Sequence, residues 1–288
     1  MRALVHTGHV KLPPKTVQAL RLAVLLTGLI SFAGCGPFSQ EGFLQKFDRE
    51  IRKASAAIES AKNDAERAAA YADRGDAYGE KARYSRIQKL ITIEEYNRLF
   101  ELSMADFSKA IALDSGNTDI YYRRGHVYYG RAGAEMIYDR TPSPALTPAR
   151  ADFAVVVARN PKHAGAWDML GLTDASMGHW TEAIEDFTQE AALDSRAGYR
   201  VGDAYCNRGM QYSGEKKTDL AEADFKRAIE MGAHRDPCEC DPYNSLLAMY
   251  TTQTHELDKA RALLAKAKAN GKWISPEYPE MLKDQKGN

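Results

Sequence analysis

The chain has little cysteine, no net charge and no apolar run of membrane-spanning length. Only 4 of its 288 residues are cysteine, and 39 basic side chains balance 39 acidic ones. Residues 1–34 hold four bases and no acid, so the remainder carries 35 bases and 39 acids. A weakly acidic chain without a basic stripe is unsuited to binding nucleic acid. The most apolar stretch, residues 22–33, is shorter than the roughly 20 residues of a membrane-spanning helix.

No motif for catalysis or for a cofactor is found along the chain. The stretch 209–218 has glycines and lysines, but Glu215 interrupts the Gly-Lys-Thr order of a phosphate loop and no strand precedes it. His255-Glu256 lacks a second histidine at zinc-binding spacing. A serine nucleophile elbow is also missing. We therefore expect neither enzyme activity nor a bound cofactor.

The N-terminal segment has the pattern of a signal peptide. A basic region ends at Arg21, and an apolar run over residues 22–33 follows. Phe32-Ala33-Gly34-Cys35 resembles the bacterial lipobox, with Phe32 where that signal prefers leucine. The resemblance implies cleavage before Cys35, lipid attached to Cys35, and, with Gly36 next, a place on the periplasmic side of the outer membrane.

Two other interpretations of this segment stay open. Residues 31–33 also fit an ordinary secretory cleavage site, which would give a soluble periplasmic protein. The apolar run could instead remain as an uncleaved anchor. In the lipoprotein interpretation, residues 1–34 are the signal peptide and residues 35–42 are a tether.

The stretch 164–197 is the most regular part of the chain. Apolar residues recur at helical spacing on both sides of Gly178, which predicts two helices joined at that glycine. Trp167, Gly171, Ala183 and Phe187 mark the two halves. The pattern resembles the 34-residue tetratricopeptide repeat, a helix-turn-helix unit. The chain departs from that pattern at a few places: Asp174 replaces tyrosine, Glu190 a small residue and Ser195 proline.

The resemblance extends along the chain and implies an all-α, right-handed α-solenoid of about five helix hairpins. The repeat array is expected over residues 67–270. Its units are expected at about 68–117, 118–163, 164–197, 202–235 and 241–271. A capping helix is predicted over 43–66, and a C-terminal cap and tail over 272–288, with Trp273 helping to cover the last apolar face.

The first two units carry extra residues between their halves, about 16 and about 12. Apolar spacing predicts longer helices, with Thr92 capping a helix start and the first helix of the second unit reaching Asp139. The prolines of residues 141–148 are expected to exclude regular helix there. Both insertions fall at the same end of neighbouring hairpins, so we expect a ridge on one edge of the solenoid.

Three cysteines remain beyond Cys35, and their state stays open. Stacked repeats would bring Cys206 near Cys238 and Cys240, so a disulfide from Cys206 to either one is geometrically reasonable. Free thiols are the alternative. A metal site from His234, Cys238 and Cys240 lacks a recognisable fourth ligand, and we predict no metal.

The repeat resemblance implies a binding surface, because the first helices of such arrays line a concave side that holds peptides or helices. The residues expected to face that groove are Tyr122, His126, Tyr129, Asp168, Leu172, Cys206 and Met210. The expected function is a non-catalytic scaffold that binds other envelope proteins. In one alternative, Tyr122 and Tyr129 only pack against the elongated first hairpin. In another, the insertion ridge joins two copies in a homodimer.

Overall fold

The structure is a computed structural model that describes residues 40–139, 141–232 and 240–284. These residues form twelve α-helices and no strand. The helices are α1 (Gln40–Ser60), α2 (Asp64–Ile87), α3 (Ile93–Leu113), α4 (Thr118–Asp139), α5 (Leu146–Arg159), α6 (Ala164–Met177), α7 (Trp180–Leu193), α8 (Gly198–Gly214), α9 (Thr218–Glu230), α10 (Pro242–Thr252), α11 (Leu257–Ala269) and α12 (Glu277–Asp284). A 3₁₀ turn, Ser195–Ala197, leads into α8.

Ten of these helices pair into five consecutive hairpins: α2/α3, α4/α5, α6/α7, α8/α9 and α10/α11, numbered 1 to 5 below. The second helix of each hairpin packs against the first helix of the next one. Helix α1 covers α2 at one end of the array, and α12 covers α10 and α11 at the other. The predicted all-α solenoid of five hairpins is confirmed.

A glycine of the first helix allows close approach of the second helix in hairpins 1 to 4. A β-carbon added to it would lie 2.6–3.0 Å from the nearest ring carbon of a phenylalanine on the second helix. The four pairs are Gly75–Phe107, Gly125–Phe153, Gly171–Phe187 and Gly209–Phe225. All four rings are buried. Because no side chain intervenes, each ring packs directly on the backbone of its partner helix.

Beside this contact, hairpins 1, 2 and 4 each hold a bidentate ion pair. The arginine precedes the glycine in sequence and the aspartate precedes the phenylalanine: Arg74–Asp106, Arg124–Asp152 and Arg208–Asp224. The six N–H···O distances are 2.7–2.9 Å, and the aspartates are buried. Paired geometry of this kind satisfies a buried carboxylate and fixes the register of the two helices. In hairpin 3 the arginine's place is taken by Leu170.

The two elongated hairpins pack against each other, as the ridge hypothesis expects. Helix α3 starts with Thr92 as its cap, whose side chain accepts from the Glu95 N–H, and α4 ends at Asp139. The guanidinium of Arg131 on α4 lies 4.0 Å from the ring centre of Phe100 on α3. The same group donates to Asn97 Oδ1 at 3.3 Å.

The predicted proline break over residues 141–148 is wrong in its last part. Helix α5 already begins at Leu146, so Pro148 lies in its first turn. The missing N–H of a proline removes no intrahelical hydrogen bond there, because the first N–H groups of a helix have no partner within it.

A helix covers each end of the array, and each cap differs from the prediction in one detail. Helix α1 ends at Ser60 rather than residue 66, because Asn63 starts α2: its side chain accepts from the Glu66 N–H, while Glu66 accepts from the Lys62 N–H. At the other end, Trp273 is 69% exposed, and Tyr278 and Leu282 of α12 are buried instead. Backbone groups of residues 273 and 275 are held by the side chain of Asn244.

Candidate partner-binding face

The first helices α2, α4, α6, α8 and α10 together form one surface, here called the first-helix face. The residues proposed to bind a partner come from its middle, on α4, α6 and α8. Helix α4 begins after Asn117, whose side chain accepts from the Asp119 N–H. Helix α6 begins after His163, whose Nδ1 accepts from the Ala166 N–H. These two caps fix where the following side chains lie.

Tyr122 connects α4 to the next hairpin. Its ring centre lies 4.5 Å from that of His126, 5.9 Å from Phe153 and 4.7 Å from His163. A β-carbon on Gly165 would be 3.0 Å from the Tyr122 hydroxyl, so the absence of a side chain at Gly165 makes room for it. Burial, followed by the charges of Asp168 and Asp119, raises the pKa of Tyr122.

Tyr129 also contacts the next hairpin, about two turns further along α4. Its hydroxyl lies 3.4 Å from Ser176 Oγ on α6, and burial raises its pKa. Leu172 is half-buried between the clusters that join hairpins 2 to 3 and 3 to 4. The two tyrosines therefore pack against hairpin 3, not against the elongated first hairpin as the alternative supposed.

His126 is the exposed member of this aromatic group. Its ring also packs edge-on against Phe153, 5.5 Å between centres. The surrounding protein lowers the pKa of His126 by desolvation, partly offset by Glu80. Tyr122, His126 and Tyr129 thus lie on one face of α4 and are called the aromatic cluster below, with Tyr122 and His126 in ring contact.

Asp168 lies beside this cluster and pairs with the next hairpin. Its Oδ1 is 3.0 Å from Arg200 Nη1 on α8, and Glu190 Oε2 lies 3.8 Å from Arg200 Nε. Burial raises the pKa of Asp168, and burial plus the charge of Asp168 raises that of Glu190 to about 7. Arg200 is therefore the shared cation of Asp168 and Glu190, at a position that is poorly hydrated.

On the other side of the cluster, Arg123 is likewise a single arginine that pairs with several acids. It bonds to Asp73 and Asp76 on α2 at 2.8 and 2.6 Å, and approaches Asp119 at 3.7 Å. Burial raises the pKa of Asp76 to about 6 despite the arginine. Beside the aromatic cluster, Arg123 and Arg200 therefore pair with five acids between them.

Met210 and Cys206 lie on α8, two hairpins beyond the helix that carries the cluster. Met210 is 44% exposed and presents an apolar side chain to solvent. Cys206 is fully buried and forms a disulfide with Cys240, just before α10. Cys206 is therefore a covalent link between hairpins 4 and 5 and contributes nothing to an open surface.

Three predicted residues, Cys35, His234 and Cys238, lie outside the described residues. Within residues 40–139, 141–232 and 240–284, no group of three or more His, Cys, Asp or Glu side chains is arranged to hold a metal ion. Across these same ranges, every helix is too short or too polar to span a membrane.

A cavity of about 480 Å³ lies between α1 and α2, beside the first-helix face. Its apolar lining includes Phe43, Phe47 and Tyr84, and its rim carries charges of both signs. Helix α1 packs on α2 as the second helix of a preceding hairpin would.

Sequence reasoning missed the charged partners of the site. Arg123 and Arg200 were not predicted to act there, and the Arg–Asp pairs within hairpins were overlooked. The signal was present: an arginine before the glycine and an aspartate before the phenylalanine recur in three units. Asp174 and Glu190, noted only as departures from the repeat pattern, are both buried.

Helix hairpins with a small residue seated against the facing helix, stacked in one array, define an α-solenoid. Among solved structures, the chain is similar to MamA, with a TM-score of 0.41, 21% identity, and coverage of 68% of this chain and 96% of that one. It is also similar to YrrB, a TPR protein with an unusual peptide-binding site. The TM-score is 0.40 and the identity 18%, and the match covers 75% of this chain and 86% of that one. A third similar structure is PilF of Pseudomonas aeruginosa, with a TM-score of 0.34, 15% identity, and coverage of 85% of this chain and 100% of that one.

These likenesses concern the fold alone. No family model matches the chain, and no curated protein is similar to it.

Proposed function

We propose that the protein is a non-catalytic scaffold that binds a peptide or helix of another protein on the first-helix face. The observation that carries the proposal is the aromatic cluster of Tyr122, His126 and Tyr129, with exposed Met210 two hairpins further on. Aromatic side chains are effective anchors because they bury a large area with few rotatable bonds. The packing of Tyr122 and Tyr129 against hairpin 3 holds them in place before a partner arrives.

The charges around the cluster favour a partner with basic side chains. Arg123 is shared by three aspartates, and Arg200 by Asp168 and Glu190. A lysine or arginine of a bound peptide would supply positive charge next to carboxylates that burial makes costly to ionise. The expected ligand is thus a segment with an apolar or aromatic residue and a nearby base.

Crosslinking from the face tests this function. A photoreactive residue is placed at the exposed positions 126 and 210, and at Leu220 on α9, which is 50% exposed, as a control. We expect one partner to be captured from envelope extracts at 126 and 210 and not at 220. A synthetic peptide of the captured segment should then bind the purified protein. Equal capture at all three positions, or none, would contradict the proposal.

A charge substitution provides the matched binding measurement. His126→Arg and Met210→Arg add positive charge to the face, while Leu220→Arg adds it to a second helix. Titration calorimetry with the captured peptide should show affinity reduced by about tenfold or more for the first two variants, through like-charge repulsion. The Leu220→Arg variant should bind as the unchanged protein does.

We also propose that the scaffold is attached to the periplasmic side of the outer membrane through lipid on Cys35. The support is the lipobox-like order of residues 32–35 after a basic and apolar leader. Attached acyl chains would contribute about 0.8 kcal/mol per buried CH₂ to membrane binding. Mass spectrometry of the mature N-terminus tests this: a diacylated or triacylated Cys35 is expected, and Cys35→Ser should release the protein from membranes. An unmodified mature N-terminus would favour soluble secretion.

Self-association through the insertion ridge is a second candidate function. The supporting observation is exposed apolar area at the hairpin tips: Leu90 is 39%, Ile93 44% and Ile137 45% exposed. Grouped apolar exposure is typical of interaction surfaces. Light scattering at micromolar concentration should then give a dimer that Ile93→Glu converts to a monomer. A monomer of the unchanged protein would reject this candidate.

A further inference from the structure

Hairpin 3 holds a buried aspartate that lacks the partner found in its neighbours. In hairpins 1, 2 and 4 the aspartate before the phenylalanine is bound by an arginine of the first helix. In hairpin 3 the aspartate is Asp186 and the arginine's place is Leu170. Asp186 is only 8% exposed, and its Oδ2 has no hydrogen-bond partner among the described residues.

The group that faces Asp186 is a second buried carboxyl, Asp174. Asp174 is fully buried on α6, and its side chain lies within hydrogen-bonding reach of Asp186. Its Oδ1 accepts from Arg150 Nε of α5 at 2.6 Å and lies 3.3 Å from His179 Nδ1. Its Oδ2, like that of Asp186, has no partner within the described part of the chain.

The surrounding charges do not compensate two ionised carboxylates. Arg150 is the cation from hairpin 2, and His179 comes from the α6–α7 turn. Glu182 and Glu185 add negative charge from α7 itself. On α8, Arg208 donates to Thr181, but its bidentate bond goes to Asp224.

A single proton between the two carboxyl groups resolves this arrangement. The protonated carboxyl donates its O–H to the other carboxylate, so that an oxygen of each gains a partner and one negative charge is removed. Burial, followed by the charge and hydrogen bond of Asp174, raises the pKa of Asp186 to about 7.

We propose that Asp174 and Asp186 share one proton in the folded protein, and that losing it as the pH rises through neutrality loosens hairpin 3 selectively. The loss leaves two facing carboxylates with Arg150 as their main counter-charge. Because Arg150 comes from α5 and Asp174 from α6, the effect includes the contact between hairpins 2 and 3. Tyr122 and Tyr129 pack across the same interface between hairpins 2 and 3. The inference does not rest on the proposed function.

Three variants test the shared proton through the pH dependence of unfolding. One proton held by the folded state and released by the unfolded state raises the unfolding equilibrium constant up to tenfold per pH unit. The slope of the logarithm of the unfolding constant against pH gives the number of protons released on unfolding. Between pH 5 and 7, we expect Asp186→Asn to reduce this number by about one, because an amide donates a hydrogen bond without titrating. Leu170→Arg, which introduces the arginine of the other hairpins, should do the same. Asp224→Asn is the matched control: it should destabilise hairpin 4 while leaving the slope unchanged.

Two local measurements decide where the proton is and what its loss does. Carbon NMR of the aspartate carboxyls should show Asp186 titrating near pH 7. Hydrogen-exchange protection of α6 and α7 amides should fall about tenfold more between pH 6 and 8 than that of hairpins 1 and 5, which do not contact hairpin 3 directly. A carboxyl of Asp186 that titrates below pH 5, a slope unchanged in Asp186→Asn, or a uniform loss of protection would each overturn the proposal. If Leu170→Arg fails to fold, the Asn variant and the carboxyl titration still decide.

Discussion

Gly171 and Phe187 are in such close contact that a β-carbon on the glycine would lie 2.6 Å from Cε1 of the ring. We therefore expect Gly171→Ala to destabilise the protein by about 1–3 kcal/mol, because the methyl group forces α6 and α7 apart. Urea unfolding followed by circular dichroism measures the change.

Gly198 is the matched control for that substitution. It is also helical, with φ −55° and ψ −26°, and a β-carbon added to it would have no neighbouring atom within 4 Å. Gly198→Ala should be neutral or stabilise by about 0.4–1 kcal/mol through reduced freedom of the unfolded chain. Equal losses in the two variants would contradict the steric explanation.

The Arg124–Asp152 pair should contribute measurably to stability. Removing its cation in Arg124→Met leaves Asp152 buried without its main hydrogen-bond donor, which should cost about 2–3 kcal/mol in urea unfolding. Arg196–Asp194 has similar bidentate contacts at 2.7–2.9 Å, but Arg196 is 89% exposed. Arg196→Met should leave stability nearly unchanged, because solvent screens an exposed pair. A comparable loss in both variants would show that burial is not the deciding factor.

The Cys206–Cys240 disulfide should stabilise the carboxyl-terminal hairpins. It closes a loop of 34 residues, for which chain-entropy arguments give about 2–4 kcal/mol. Thermal unfolding with and without a phosphine reductant should show a lower midpoint when the bond is reduced. Cys238→Ala should behave as the unchanged protein in both conditions. A shift that disappears in Cys238→Ala would instead assign the pairing to Cys238.

Stability should decrease as pH rises from about 5 to 7. Burial and Asp168 raise the pKa of Glu190 to about 7, above its unfolded value, so the folded state keeps a proton that the unfolded state has released. The stabilisation is complete below the unfolded pKa and is lost as pH passes through the folded one. Glu190→Gln should flatten this part of the curve of midpoint temperature against pH. An unchanged curve would contradict the raised pKa.

At acid pH, Glu222 should have the opposite effect. Burial alone would raise its pKa, but hydrogen bonds from Lys226, Tyr250 and Lys259 outweigh burial and lower it to about 2. Its stabilisation is present above the unfolded pKa and is lost as pH falls toward 2. Glu222→Gln should therefore lose stability at pH 6 and converge with the unchanged protein near pH 2, as measured by thermal unfolding.

The repeating part of the fold could be predicted from sequence because each hairpin uses the same few contacts. Glycine, alanine and phenylalanine at fixed spacing predicted the hairpins, and Thr92 was a readable cap. Helix ends were less predictable: Pro148 is acceptable in a first turn, and Trp273 is large and apolar yet exposed. The charged half of the site escaped prediction, because Arg200 meets Asp168 and Glu190 only after two hairpins stack. Such contacts depend on three-dimensional register, which spacing within one unit does not reveal.

The disulfide between α8 and the start of α10 also limits how far the protein can be stretched. If one end of the chain is held and the other is pulled, the stretch between Cys206 and Cys240, which are 34 positions apart, cannot lengthen while the bond is intact. At roughly 3.5 Å per extended residue, the bond withholds about 110 Å of contour length. Tension would unravel the helices outside this loop and leave the loop closed until a reductant opened it.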